Sequence, residues 1–146
     1  TGYTILSGGV YRNHGAVSRL YVDDGSRLEI QAAKSGSTYA SDMYASASIP
    51  TSQLSALKRL EIDYDGNASS LSAALTLQVY DWATTRWVTV DGPRTGVTRD
   101  RSFTWSTSTA PSDYASASGE VRFRVRGTAS SRFRTRTDLV GFTINR

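Results

Sequence analysis

Leu75-Thr76-Leu77-Gln78-Val79-Tyr80-Asp81-Trp82-Ala83-Thr84-Thr85-Arg86-Trp87-Val88-Thr89-Val90-Asp91 is the stretch whose reading decides the fold. Leu75, Leu77 and Val79 alternate with Thr76, Gln78 and Tyr80, the two-residue period of a strand buried on one face. Beyond a short polar connection the alternation resumes, with Val88 and Val90 set against Trp87, Thr89 and Asp91. The pattern predicts a β-hairpin turning at Thr84-Thr85. A turn symmetric about that pair sets Trp82 opposite Trp87, Tyr80 opposite Thr89 and Val79 opposite Val90. Opposed residues project from the same side of a sheet. Leu75, Leu77, Val79, Val88 and Val90 are therefore assigned to the core, and Tyr80, Trp82 and Trp87 to the opposite face. A slip of one residue would separate the three rings.

The same alternation spreads outward from this hairpin. Leu28 and Ile30 alternate with Glu29 and Gln31. Met43, Ala45, Ala47 and Ile49 alternate with Asp42, Tyr44, Ser46 and Ser48, ending at Pro50. Leu60, Ile62 and Tyr64 alternate with Glu61, Asp63 and Asp65 up to Gly66-Asn67. Gly92-Pro93 is expected to break the second hairpin strand, and Arg99 to Trp105 reads as a further strand. Val121, Phe123 and Val125 alternate with Arg122, Arg124 and Arg126, while Val140, Phe142 and Ile144 form a last strand. Between them, Ser130 to Thr137 reads as a basic, irregular loop. Only short helical turns are expected, at Ala16–Val22, after Pro50 and at Ala110–Tyr114. Eight or nine strands with no crossover helix predict an all-β, two-sheet antiparallel β-sandwich of jelly-roll type. No linker or composition break divides residues 1–146, which read as a single domain and as a mature or excised fragment of something longer.

Composition narrows the chemistry. At 146 residues the chain can bury a core without staples, and it has no cysteine for disulfides or thiolate metal sites. Its one histidine, His14, cannot supply a multi-histidine zinc site. No apolar run reaches the ~20 residues of a membrane span, so no membrane partner is expected. The formal charge is +4 and uneven: Glu120–Arg146 holds seven arginines against Glu120 and Asp138. Such a patch attracts anionic surfaces without choosing among them.

Three constellations carry candidate chemistry. Tyr80, Trp82 and Trp87 on a rigid sheet offer a surface for stacking sugar rings, against the simpler reading of a cross-strand brace. Arg122, Arg124 and Arg126 share one face and can bind carboxylates or sulfates, against the simpler reading of a solvated face. Asp63-Tyr64-Asp65-Gly66-Asn67 and Asp23-Asp24-Gly25 present oxygens near turns. They lack the twelve-residue calcium-loop spacing and its closing glutamate, so ordinary turn chemistry is preferred and structural calcium is the alternative. No metal or other cofactor is otherwise expected. A hydrolase would need a carboxylate pair in a cleft or a nucleophile beside His14, and neither is marked out. Nucleic acid is not expected, because the residues between the arginines, Val121, Phe123 and Val125, read as core.

The runs Asp23–Ile30, Leu77–Asp91 and Val121–Arg126 resemble the noncatalytic β-sandwich domains appended to secreted bacterial polysaccharide-degrading enzymes, which are similar to carbohydrate-binding modules. The likeness extends from about residue 16 onward. It implies a secreted accessory module that carries no catalytic residues and is tethered to a catalytic domain outside this sequence. The expected function is therefore binding of a polysaccharide or oligosaccharide by Tyr80, Trp82 and Trp87, with Arg122, Arg124 and Arg126 alongside. This would target the linked enzyme to its substrate. The alternative is a structural or protein-interaction β-sandwich of a secreted multidomain enzyme, favoured if the tryptophans are buried.

Overall fold

The computed structural model describes residues 2–145. Eleven strands form two antiparallel sheets: β1 (Gly2–Ser7), β2 (Gly9–Val10), β3 (Leu28–Gln31), β4 (Ala33–Ser35), β5 (Thr38–Ser48), β6 (Leu60–Ala68), β7 (Ala74–Asp81), β8 (Arg86–Arg94), β9 (Arg101–Thr107), β10 (Glu120–Ala129) and β11 (Arg134–Ile144). The first sheet runs β1-β5-β10-β7-β8, with β4 sharing the β1 edge of β5, and the second runs β2-β3-β11-β6-β9. The count exceeds the expected eight or nine in part through β2 and β4, strands of two and three residues. Helix is confined to single turns at Val17–Leu20, Thr51–Leu54 and Pro111–Tyr114. Among the described residues no helix is long and apolar enough to cross a membrane.

The alternation that predicted the strands also builds the core. Met43, Ala45, Leu77, Val79, Val121, Phe123 and Val125 of the first sheet meet Leu28, Ile30, Leu60, Ile62, Tyr64 and Val140 of the second, all buried. Each large apolar side chain removed from water contributes roughly 1.5–3 kcal/mol. Polar ties also cross the sandwich. Ser41 Oγ lies 2.7 Å from Thr135 Oγ1, and Asp91 of β8 binds both terminal guanidinium nitrogens of Arg101 on β9 at 2.6 and 3.1 Å.

The structure corrects four local expectations. In the hairpin Tyr80, not Trp82, lies opposite Trp87, with Val79 opposite Val88 and Gln78 opposite Thr89. The connection is Trp82–Thr85, held by Asp81 Oδ1 accepting from the Ala83 and Thr84 amides, with Thr85 left-handed at φ 55°. The slip is two residues, so Tyr80 and Trp87 keep their face. The bulged register beyond Gln78, however, sets Asp91, expected outside, opposite the core residue Leu77. Second, β8 continues through the cis Gly92–Pro93 bond to Arg94, which lies opposite Leu75 across a bulged register. Third, β6 runs straight through Gly66-Asn67. Gly66 is required by contact and not by a turn: a Cβ there would lie 2.5 Å from both the Tyr64 hydroxyl and the Arg136 carbonyl oxygen. Fourth, Arg134–Thr137 is not a loop but the first half of β11, paired with β3 and β6. Thr135 and Thr137 face inward and are buried, so the inner face there is polar and the apolar alternation vanishes from the sequence.

Candidate functional site

The outer face of the first sheet gathers the aromatic and arginine rows. Arg122, Arg124 and Arg126 lie along β10, in register with Ser46, Tyr44 and Asp42 on β5. On the other side Arg124 and Arg126 oppose Gln78 and Thr76 of β7. The rings form one chain: Tyr44 to Trp87 at 5.7 Å between centroids, Trp87 to Tyr80 at 5.1 Å, and Tyr80 to Trp82 at 4.8 Å. The last two contacts are edge-to-face, near 75°. Tyr44 and Trp87 rise from strands separated by β10 and β7, so their rings lean toward each other across the middle of the face. All four aromatic residues are half-buried.

The guanidinium groups are built into this stack. Arg122 Cζ lies 4.6 Å from the Trp82 ring centroid, 4.8 Å from that of Tyr44 and 5.6 Å from that of Tyr80, while Arg124 lies 5.3 Å from that of Trp87. Cation–ring contact and ion pairing act together. Arg122 Nη2 donates to Glu120 at 2.9 Å, and Arg124 forms a fork on both oxygens of Asp42, its Nη1 reaching Gln78 at 3.2 Å. Arg126 approaches Asp42 at 3.6 Å. Gln78 in turn donates to Thr89 at 3.1 Å. Two carboxylates thus answer three arginines. Trp82 sits in the turn and not on a strand. Its amide donates to the Asp113 carbonyl at 2.8 Å, and its indole Nε1 is shielded from solvent with no protein partner among the described residues.

All six residues singled out from sequence, Tyr80, Trp82, Trp87, Arg122, Arg124 and Arg126, therefore stand on one face. Sequence reading placed Tyr44, Asp42 and Gln78 on strand faces but not at this site. Tyr44 and Asp42 alternate with core residues Met43 and Ala45, which marks them as outward-facing. The pairing of β5 beside β10 that brings them here is long-range and invisible to local pattern.

A second cluster lies away from this face. Asp23, Asp65, Asp100 and Asp138 each offer a carboxylate oxygen within 4.8 Å of the others. Asp65 projects from β6, Asp23 belongs to the loop before β3, and Asp100 precedes β9. Asp138 is the extra residue of a β-bulge between Thr137, opposite Gly66, and Leu139, opposite Asp65. A bulge leaves one residue unpaired and redirects its side chain. Asp138 is fully buried and accepts from the Gly25 amide at 2.7 Å and the Asp24 amide at 3.3 Å. Asp100 is gripped by Arg27 at 2.9 and 3.0 Å and by Asn67. Those bonds hold its carboxyl below the ordinary range although burial acts the other way. Asp23 is pushed up, first by sharing a hydrogen bond with Asp138, then by loss of solvent and by the charges of Asp65, Asp138 and Asp100. The two calcium alternatives noted in sequence, around Asp23 and Asp65, thus converge in space. Asp63 does not join them; it accepts from Thr104 at 2.6 Å.

The fold is that of carbohydrate-binding modules. It is similar to a CBM61 module from a complex with β-1,4-galactotriose (TM-score 0.54, 8% identity, covering 99% of this chain and 83% of that one). A CBM4 structure aligns at TM-score 0.55 and 14% identity over 99% and 95% of the two chains. The N-terminal cellulose-binding domain of Cellulomonas fimi β-1,4-glucanase C aligns at 0.54 and 16% over 99% and 90%. Identities this low establish the fold alone. No curated protein matches the sequence. A family model described as a domain of unknown function, DUF8815, matches residues 28–145, and the chain belongs to that family.

Proposed function

We propose that this domain is a noncatalytic carbohydrate-binding module that uses the outer face of its first sheet to hold a polysaccharide or oligosaccharide. In that role it keeps a linked, secreted catalytic domain near its substrate. The observation that carries the reading is the continuous chain Tyr44–Trp87–Tyr80–Trp82, half-exposed on a rigid sheet and edged by Asp42, Gln78, Arg122 and Arg124. Partly exposed rings supply apolar contact to a sugar's C–H faces, and the surrounding groups exchange hydrogen bonds with its hydroxyls. The likeness in fold to modules whose structures include a galactotriose complex and a cellulose-binding domain supports the same reading.

The ion pairing refines the ligand class. Arg122 and Arg124 are matched by Glu120 and Asp42, so the face offers paired donors and acceptors and only a small excess charge. That suits a neutral glycan better than a uronate or sulfate. Hydroxyl groups exchange water for protein with small net gain, so affinity is expected to be weak and to rest on stacking. A glycan array of the isolated domain, followed by titration of Trp87→Ala and Trp82→Ala, tests the proposal. Loss of the Trp87 ring is expected to cost about 1–2 kcal/mol, by analogy with base–aromatic stacking. Unchanged binding by both folded variants would remove the site from this face.

The alternative, a structural or protein-interaction sandwich, is favoured by the edge-to-face contacts, which turn ring faces toward one another and toward Arg122. Under that reading the tryptophan substitutions lower stability and no glycan binds.

A further inference from the structure

We propose that Arg12 and Arg134, gathered on the Tyr11 ring at the outer side of the second sheet, bind the carboxylate or sulfate group of an acidic saccharide. The inference rests on the reading of this domain as a carbohydrate-binding module, but not on the aromatic face of the first sheet. The turn Tyr11–His14 is closed by the His14 amide donating to the Tyr11 carbonyl at 3.0 Å. It is strapped along β3, where the Tyr11 amide donates to the Glu29 carbonyl at 2.9 Å and the Glu29 amide to that of His14 at 3.0 Å. The strap sets the Tyr11 ring beside β11, with Arg134 Cζ 4.2 Å from its centroid. Arg12, at the exposed turn with a left-handed φ of 53°, reaches the same ring at 4.9 Å.

Positive charge is in excess here. Glu29 is the carboxylate that meets Arg134, at 2.7 Å, and it also answers His14 at 3.1 Å and Arg136 at 3.4 Å. Arg136 turns its Nη1 to Asn67 at 3.4 Å, away from the Tyr11 ring. Arg134 gives Glu29 its Nε, so both of its terminal nitrogens lack an acceptor among the described residues. Arg12 has neither a hydrogen bond nor an ion pair among them. The first sheet differs: there Glu120 and Asp42 take terminal nitrogens of Arg122 and Arg124.

These donors select the ligand. A guanidinium edge bonds two oxygens of a carboxylate or a sulfate in parallel. Guanidinium groups already resting on a ring lose less freedom on binding than free side chains do. With Arg12 exposed and Arg134 half-buried, the donors are open to a group carried on an extended chain. Nucleic acid is the less favoured polyanion, because single strands bind by stacking bases on exposed rings. The Tyr11 ring is taken up by the two guanidinium groups and by His14, stacked at 6.0 Å between centroids.

The test is calorimetric titration of the whole domain with an oligogalacturonate and, separately, a sulfated dextran oligosaccharide. At least one of the two is expected to bind, and to bind less tightly as sodium chloride rises; the tighter one identifies the oxyanion. Arg12→Asn suits the left-handed turn and removes no protein contact but that with Tyr11. It is expected to lower affinity for that probe about tenfold, and Arg134→Gln by a similar factor. Lys58→Gln, which removes the same charge beyond the far end of β6, is expected to leave affinity unchanged. Failure of both acidic probes to bind would overturn the proposal. So would unchanged affinity in either folded arginine variant, or tighter binding of a single-stranded oligonucleotide of similar length. None of these results touches neutral-glycan binding at the first sheet, which Trp87→Ala reports separately.

Discussion

The aromatic face of the first sheet and the aspartate cluster handle charge in opposite ways. On the face, Asp42 holds Arg124 in a fork and also meets Arg126, while Glu120 holds Arg122. The arginines further rest on Tyr44, Tyr80, Trp82 and Trp87. Almost every charge there is answered within the protein. In the cluster four carboxylates converge, and one arginine answers one of them from the outer side. A self-satisfied face suits the ligand proposed for it, one recognised by contact and hydroxyl geometry. The cluster instead keeps negative charge that the protein leaves largely unanswered.

The comparison is sharpest in two substitutions of the same kind. Asp42→Asn strips the partner from a guanidinium that is mostly buried against Trp87, and is expected to cost about 3 kcal/mol in urea unfolding. Asp65→Asn removes a buried negative charge whose hydrogen-bond partner, Ser102, is neutral, and is expected to raise stability by about 1 kcal/mol. Equal losses for both variants would erase the distinction between compensated and uncompensated charge.

Acid sensitivity offers a smaller contrast. Burial acts to raise the Asp91 carboxyl, but Arg101 and Arg94 bound to it bring it below the ordinary aspartate value of 3.8. Its charged form therefore favours the folded state above that pH. The contribution disappears as the pH falls from about there through the folded-state pKa. Asp91→Asn should lower stability at neutral pH by about 1–3 kcal/mol and flatten the acid limb of a stability–pH curve. An acid limb of unchanged slope would show that the Asp91–Arg101 tie between the sheets contributes nothing through charge.

Salt gives the smallest expected effect. Because the arginine face is internally paired, affinity for a neutral glycan should change less than about twofold between low and high sodium chloride. A steep fall with salt would mean that the arginines, and not the rings, carry binding and that the ligand is anionic.

The sandwich was legible because period-two alternation survives wherever one face is apolar, as in Leu60–Tyr64, Leu75–Val79 and Val121–Val125. It faded in β11, where Thr135 and Thr137 carry the inner face and Ser41 meets Thr135 by hydrogen bond and not by apolar contact. The hairpin register was misread because the turn was centred on its two threonines. The signal for the longer turn was Asp81, whose carboxylate caps the Ala83 and Thr84 amides. The aromatic face is unaffected because a two-residue slip keeps Tyr80 and Trp87 on their side, whereas Asp91 changes side past the bulge. Half of the aspartate cluster was visible as oxygen-rich turns at Asp23 and Asp65. Asp100 and Asp138 were not, since strand pairing and a bulge bring them there from 35 and 73 residues beyond Asp65.

The proposal that ligand meets the aromatic face is tested by the indole N–H resonances. The chain has three tryptophans. Trp82 and Trp87 stand in the aromatic stack, whereas Trp105 packs on Tyr114 and lies opposite Ile62 in the second sheet. Titrating the labelled domain with an oligosaccharide selected by array should shift the Trp82 and Trp87 signals together with amides of residues 42–46, 76–82 and 120–126, leaving Trp105 in place. Shifts centred on Trp105 or the second sheet, with Trp82 and Trp87 unmoved, would contradict it.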